Sequence, residues 1–196
     1  MIGAPAIRLQ VTLPALPDRG GGVVDDLRLI RGTLRGRCED FGVLVDRYQG
    51  ALYAFVRSQL RDPAAAEDVV QVAFLRAFSG LRAFRGDASF KTWIHQIAIN
   101  ECRARYRDEQ RRSEIAIEDV GEAALCADQH DPVDRVEHAG LHRWIGRLPP
   151  RQRSVVSLRV FSDLPFGEIA RIEGISENAA KVSYHHAVKK LRGWMS

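Results

Sequence analysis

The chain has 196 residues, of which 45% are hydrophobic and 28% charged, with a formal net charge of +4. That length suits one or two small domains with cores of their own, and no apolar run is long enough to cross a membrane. Cys38, Cys102 and Cys126 are odd in number and widely spaced, with no CxxC and no His at zinc-ligand spacing, so reduced thiols are expected, and neither a metal site nor any cofactor.

Residues 1–22 are mildly apolar but interrupted by Pro5, Pro14 and Pro17 and closed by Gly20, Gly21 and Gly22. They read as a mobile tail, without the unbroken apolar core of a signal peptide, in a protein that stays in the cytoplasm. Val24 to Leu34 suggests a short leading helix. Phe41, Leu44, Val45, Tyr48, Leu52, Phe55 and Val56 recur at three- and four-residue spacing, which predicts an amphipathic helix from about Glu39 to Leu60. Asp62-Pro63 reads as N-cap and first residue of the next helix. That helix turns Ala66, Val70, Ala73, Phe74 and Ala77 inward and ends at Gly80. A loop rich in Arg and Phe follows to Ser89. A third long helix runs from about Phe90 to Arg112, with Trp93, Ile94, Ile97, Ala98 and Cys102 as its core stripe.

Between Ser113 and Asp134 lie seven acidic residues and no Lys or Arg. Both flanks are basic: residues 1–112 carry 18 Lys and Arg against 13 Asp and Glu, and residues 135–196 carry 11 against 5. The expected division is therefore a helical module over 23–112, a flexible acidic linker over 113–133 and a second helical module over 134–196. In the second module, Asp134 to Arg147 reads as a helix that Pro149-Pro150 breaks. Arg151 to Val160 is another. Pro165 opens a short helix with Ile169, Ala170 and Ile172 inside, Gly174 makes a turn, and Ser176 caps a last helix to about Arg192. The fold class is all-α, since no alternating pattern persists long enough for a strand.

Two cationic modules on an anionic strap suit one polyanion gripped at two places; a two-domain protein with a solvated acidic linker fits the charge equally well. Phe166 to Val188 has helix-turn-helix spacing: Ala170 at the crossing, Gly174 for the left-handed turn, Ile175 in the corner. Glu177, Asn178 and Lys181, then Ser183, Tyr184 and His185, are the candidates for base edges in a major groove. Lys181, Lys189, Lys190 and Arg192, with Arg151 and Arg153 on the preceding helix, suit phosphates. A plain helix hairpin with a basic surface would share most of this, and Glu173 stands where an apolar residue is more usual. In the first module Asp68, Gln71 and Leu75 share one helical stripe. Phe90, Trp93 and neighbouring apolar residues run into Arg103, Arg105, Arg107, Arg111 and Arg112, and rings beside cations suit unpaired bases. There are no paired carboxylates at metal spacing, no phosphate-cradling Gly loop and no Ser/His/Asp set, so no enzyme is expected.

Three strings stand in order: Ala66-Glu67-Asp68-Val69-Val70-Gln71 running on to Phe74-Leu75, Phe90-Lys91-Thr92-Trp93-Ile94 with Ile97-Ala98-Ile99-Asn100, and Leu148-Pro149-Pro150-Arg151-Gln152-Arg153 before the helix-turn-helix. In these the chain resembles the extracytoplasmic-function (group IV) sigma factors of bacterial RNA polymerase, over about residues 24–112 (region 2) and 134–194 (region 4). The resemblance implies a promoter-specificity subunit whose partners are the β and β′ subunits of core polymerase, promoter DNA as duplex and as non-template single strand, and an anti-sigma protein, with no membrane insertion. It implies that Asp68, Gln71 and Leu75 face the polymerase. Ser79, Arg82, Phe84, Arg85, Lys91, Trp93, Asn100, Arg103 and Arg107 would melt the minus-ten element and hold a flipped base, with Trp93 the first of these expected to be packing only. The last helix would read the minus-thirty-five element. Relatives often carry Arg where this chain has Ser183 and His186. A stand-alone helix-turn-helix regulator is the alternative. The two elements would lie ~50 Å apart by the helical repeat. A free coil as long as Ser113–Asp134 averages ~26 Å and stretches to ~70 Å, so the resemblance implies a linker held extended along the polymerase.

Overall fold

A computed structural model of the chain describes residues 23–60, 62–119 and 139–195. The tail over 1–22, most of the linker and Cys126 lie outside the described residues. Every regular element among the described residues is helical.

Helix α1 spans Val23–Leu34 and lies along α2, Cys38–Gln59. Its anchor is polar. Asp26, almost fully buried, accepts from the Arg47 guanidinium at 2.5 Å and from the Tyr48 hydroxyl, while Asp25 takes the other Arg47 nitrogen at 2.7 Å. Burial raises the Asp26 carboxyl above its usual range, against the pull of Tyr48 and Arg47. Burial likewise raises Tyr48. All seven apolar residues that the periodicity assigns to α2's inner face are buried. Fully buried side chains such as Leu52 and Phe55 each contribute about 1.5–3 kcal/mol.

Helix α3, Pro63–Gly80, begins as its sequence dictates: the Asp62 carboxylate accepts from the Ala64 and Ala65 amides at 3.0 and 3.2 Å. Such a cap stabilises by about 1 kcal/mol. A single 3-10 turn, Leu81–Ala83, leads into the loop to Ser89. Helix α4 starts at Phe90, where the Ser89 hydroxyl caps the Thr92 amide at 3.1 Å. It runs on to Asp119, seven residues past the expected end of the first module, so the first seven residues of the acidic stretch are helical in this chain. No Gly or Pro occurs in Ser113–Asp119, and Gly121 is the first breaker beyond it; that continuity is the physical reason.

The second module comprises α5 (Ala139–Gly146), α6 (Pro150–Val160), α7 (Phe166–Glu173) and α8 (Glu177–Met195). Pro150 occupies the first turn of α6, where its missing N–H costs nothing. Gly174 closes α7 in the left-handed region, φ 67° and ψ 37°, and the Ile175 amide returns to the Ala170 carbonyl at 3.0 Å. The Ser176 hydroxyl caps the Ala179 amide at 3.2 Å.

The two modules are not separate bodies. One buried cluster runs from Phe41, Leu52 and Ile94 of the first module to Val155, Leu158, Ile169 and Ala170 of the second. Helix α6 packs on α2, and α7 packs on α4. A smaller core of Ile145, Leu148, Val156, Ala187 and Leu191 belongs to the second module alone.

Candidate nucleic-acid interface

Three surfaces carry the residues singled out above. On α3, Asp68 and Leu75 are exposed and Gln71 is half-buried. Leu75 leaves 58% of its surface open, and Val72 and Phe78 beside it are open too. These two extend the same apolar strip, Phe78 with one side of its ring packed on Phe41 at 5.0 Å. A helix with apolar residues on both sides is the signal that marks them, because the inward stripe already accounts for Ala66, Val70, Ala73 and Phe74. Asp68 meets Arg105 of α4 at 3.5 Å across the edge of this face.

The second surface joins the end of α3, the loop and the outer side of α4. Ser79, Arg82 and Arg85 are exposed, as are Asn100, Arg103 and Arg107. Asn100, Arg103 and Arg107 fall on one face by helical spacing. Lys91 does not join them. Nine positions from Asn100 is about half a revolution away, and the Lys91 ammonium is half-buried, its pKa lowered by burial despite Asp163 and Asp26. Phe84 is likewise committed to packing: its ring lies 5.0 Å from Trp93 and 6.2 Å from Phe90. Trp93 is half-buried against both rings. It shares the Asn100–Arg107 face, seven residues from Asn100, so it combines packing with a partly open ring beside the cations.

The third surface is α8. Ala180, Tyr184, Ala187 and Leu191 form its inner stripe, with Ala180, Ala187 and Leu191 buried. Tyr184 therefore packs edge-on against Phe166 at 5.4 Å instead of facing outward, and Ser183 beside it is half-buried. Glu177, Asn178, Lys181, His185, Lys189 and Lys190 are exposed. Glu177 and Lys181 pair at 2.7 Å. On α6 Arg151 is exposed, whereas Arg153 donates to the Leu148 carbonyl at 3.3 Å and to the Gln59 carbonyl of α2 at 3.4 Å.

Sequence reasoning missed His95. It is fully buried against the Phe55 ring. Its Nδ1–H donates to the Lys91 carbonyl at 2.7 Å, leaving Nε2 to accept from the Ser162 hydroxyl of the other module at 2.7 Å. Burial pulls its pKa down to about 4, so the ring is neutral. The Cys102 thiol, pushed up to about 12 by burial, is held protonated. Among the described residues no cluster of His, Cys, Asp and Glu could hold a metal ion, and no helix is long and apolar enough to span a membrane.

Both helical modules match known families. A family model described as Sigma-70 region 2 matches residues 44–112, and one described as Sigma-70, region 4 matches residues 138–191. The chain is 33% identical over 159 residues to the RNA polymerase sigma-H factor of Pseudomonas aeruginosa, covering 75% of this chain and 81% of that protein. It is 30% identical over 157 residues to the extracytoplasmic-function RNA polymerase sigma-E factor of Escherichia coli, covering 75% and 82%. Among solved structures it is similar to CnrH, determined in complex with the cytosolic domain of CnrY, with a TM-score of 0.66 at 26% identity over 87% of this chain and 97% of that one. The sigma factor RpoE of Bartonella quintana, determined with the anti-sigma factor NepR, shares the fold with a TM-score of 0.67 at 21% identity, over 80% of this chain and 97% of that one.

Proposed function

The chain belongs to the sigma-70 family as one of its extracytoplasmic-function members, and from that premise we propose how its surfaces divide the task of starting transcription. As a sigma factor it is a promoter-specificity subunit without covalent chemistry of its own: it binds core RNA polymerase and promoter DNA. We assign residues 23–112 to polymerase docking and the minus-ten element, and 134–196 to the minus-thirty-five element.

The α3 strip of Asp68, Gln71, Val72, Leu75 and Phe78 docks on core polymerase. An exposed apolar strip with one acid at its edge suits a protein partner better than a polyanion. Asn100, Arg103 and Arg107, with Ser79, Arg82 and Arg85 across the loop, receive the melted minus-ten strand. Trp93 offers that face its partly open ring for stacking, which contributes about 1–3 kcal/mol per base. Helix α8 lies in the upstream major groove. Glu177, Asn178, Lys181 and His185 approach base edges while Lys189, Lys190 and Arg151 hold phosphates. The protein works in the cytoplasm, where polymerase is. An anti-sigma protein is its regulatory partner, as in the complex recorded for the B. quintana factor.

The observation that carries this reading is that all three outward surfaces occur on one chain, in the order region 2 then region 4. Core binding followed by run-off transcription tests it. The purified chain should bind core polymerase and direct initiation at sites that core alone ignores, while holding promoter duplex weakly by itself. Tight duplex binding by the free chain, with start sites unchanged, would instead support the stand-alone regulator.

A further inference from the structure

Val182 interrupts the polar outer side of α8 and leaves 47% of its surface open. Exposed valines also occur at Val43 and Val160, so exposure alone decides nothing. What sets Val182 apart is its place. It stands two residues from both Ala180 and Tyr184, about half a revolution from the stripe that packs inward. Asn178 lies one turn before it, and His185 and Lys189 follow one and two turns after it, so the four share one outward stripe. Asn178, His185 and Lys189 are exposed as well. Glu177 is the one acid in α8, and its charge is met by Lys181 at 2.7 Å. Lys189, Lys190 and Arg192 add positive charge to the same helix. The valine therefore belongs to a cationic face, whereas the apolar strip of α3 has an acid, Asp68, at its edge.

We propose that Val182 is a specificity-determining residue that reads thymine: its side chain packs on the C5-methyl of one thymine in the upstream element, beside the base edge that Asn178 contacts. This assignment rests on the reading that α8 enters the upstream major groove. Charge, chemistry and position point to the same occupant. A cationic face draws a duplex rather than an apolar protein segment. Among the groups that base pairs display in the major groove, the thymine methyl is the apolar one. It is the surface there that can cover a valine without leaving a donor or acceptor unpaired. Val182 also sits in the second turn of α8, and the N-terminal turns of a recognition helix are the ones that reach base edges. Four residues of helix advance about 6 Å, against about 3.4 Å per base-pair step. The thymine therefore lies within about two steps of the base at Asn178. An Asn side chain suits adenine through N6 and N7, so the preferred element carries A·T pairs at these neighbouring positions.

The test uses holoenzyme assembled from core polymerase and the full chain. Selection from a promoter library yields the upstream element preferred by wild type and by Val182→Ala. Thymines of the wild-type element are then replaced one at a time by deoxyuridine, which removes the methyl and keeps the base pair. With wild type, one replacement should weaken promoter binding by roughly fourfold, as expected for one buried methyl. With Val182→Ala the same replacement should change nothing, and the selected element should lose its thymine preference at that position alone. Alanine favours a helix, so the variant should keep its helical circular dichroism. A deoxyuridine effect of equal size in wild type and Val182→Ala overturns the proposal. So does a selected upstream element in which no thymine is sensitive to loss of its methyl. If wild-type holoenzyme selects no upstream sequence at all, the placement of α8 fails, and the role of Val182 fails with it.

Discussion

Replacing His95 by Phe tests the seam between the modules quantitatively. The ring is fully buried and neutral, and its pKa lies near 4 against an ordinary 6.5. The folded state therefore resists protonation while the unfolded chain accepts it. The stability associated with the neutral ring is complete above pH 6.5 and is lost as pH falls from 6.5 towards 4. The gap corresponds to about 3 kcal/mol, with a limiting slope of about 1.4 kcal/mol per pH unit. Lys91, on the same helix, adds to the depression; Phe55 and Ser162 face the ring without charge. His95→Phe keeps a ring in the pocket but leaves the Ser162 hydroxyl, itself buried, without its partner. That should cost about 1–3 kcal/mol at pH 7.5. The two proteins should then converge as pH approaches 4, because only the wild type carries the histidine slope. Urea unfolding at half-unit pH steps, followed by tryptophan fluorescence, measures both curves. Parallel curves across pH 4–6.5 would refute the assignment of His95 as a neutral, doubly bonded ring in the core.

Leu75→Arg should leave the helical circular dichroism unchanged and weaken core binding by about 1.5–3 kcal/mol, ten- to hundredfold in Kd, if the strip docks on polymerase; fluorescence titration against core reads it. Gly174→Ala should cost about 1 kcal/mol in a thermal melt purely through its left-handed backbone, because no atom lies within 4 Å of the added methyl. Neutralising Lys189 or Lys190 should weaken holoenzyme binding to all promoter sequences and flatten the salt dependence by ~0.9 per lost contact. Asn178→Ala should instead relax the preferred upstream sequence, which selection from a promoter library measures.

What the sequence made legible follows from the range of the forces involved. The inner stripes of α2 and α3, the Asp62 cap, the Pro149-Pro150 break and the left-handed Gly174 are set within a turn or two of chain, and the structure has each of them. Tyr184 was legible in principle, since its spacing from Ala180 and Ala187 already placed it on the inner stripe. The seam was not. His95 finds Ser162 across 67 residues, and Arg103 finds Glu173 across 70. No local period announces a contact made at that separation. Glu173 was the one visible trace, an acid where packing alone called for an apolar side chain. Arg153, read from sequence as a phosphate contact, donates to the Leu148 carbonyl and, across the seam, to the Gln59 carbonyl, and no local period announces the second of these. The start of the linker was less legible: the lack of a helix breaker before Gly121 lets α4 run on to Asp119, seven residues into the acidic stretch.

The most direct test of the whole account is promoter-specific transcription by core polymerase and this chain on a library-selected promoter, with five base pairs inserted between the two elements. That insertion turns one element by about half a helical repeat relative to the other. Two modules gripping one promoter through the polymerase predict loss of specific initiation, restored when the spacing is returned. Initiation that persists at the same start site despite the insertion would contradict it.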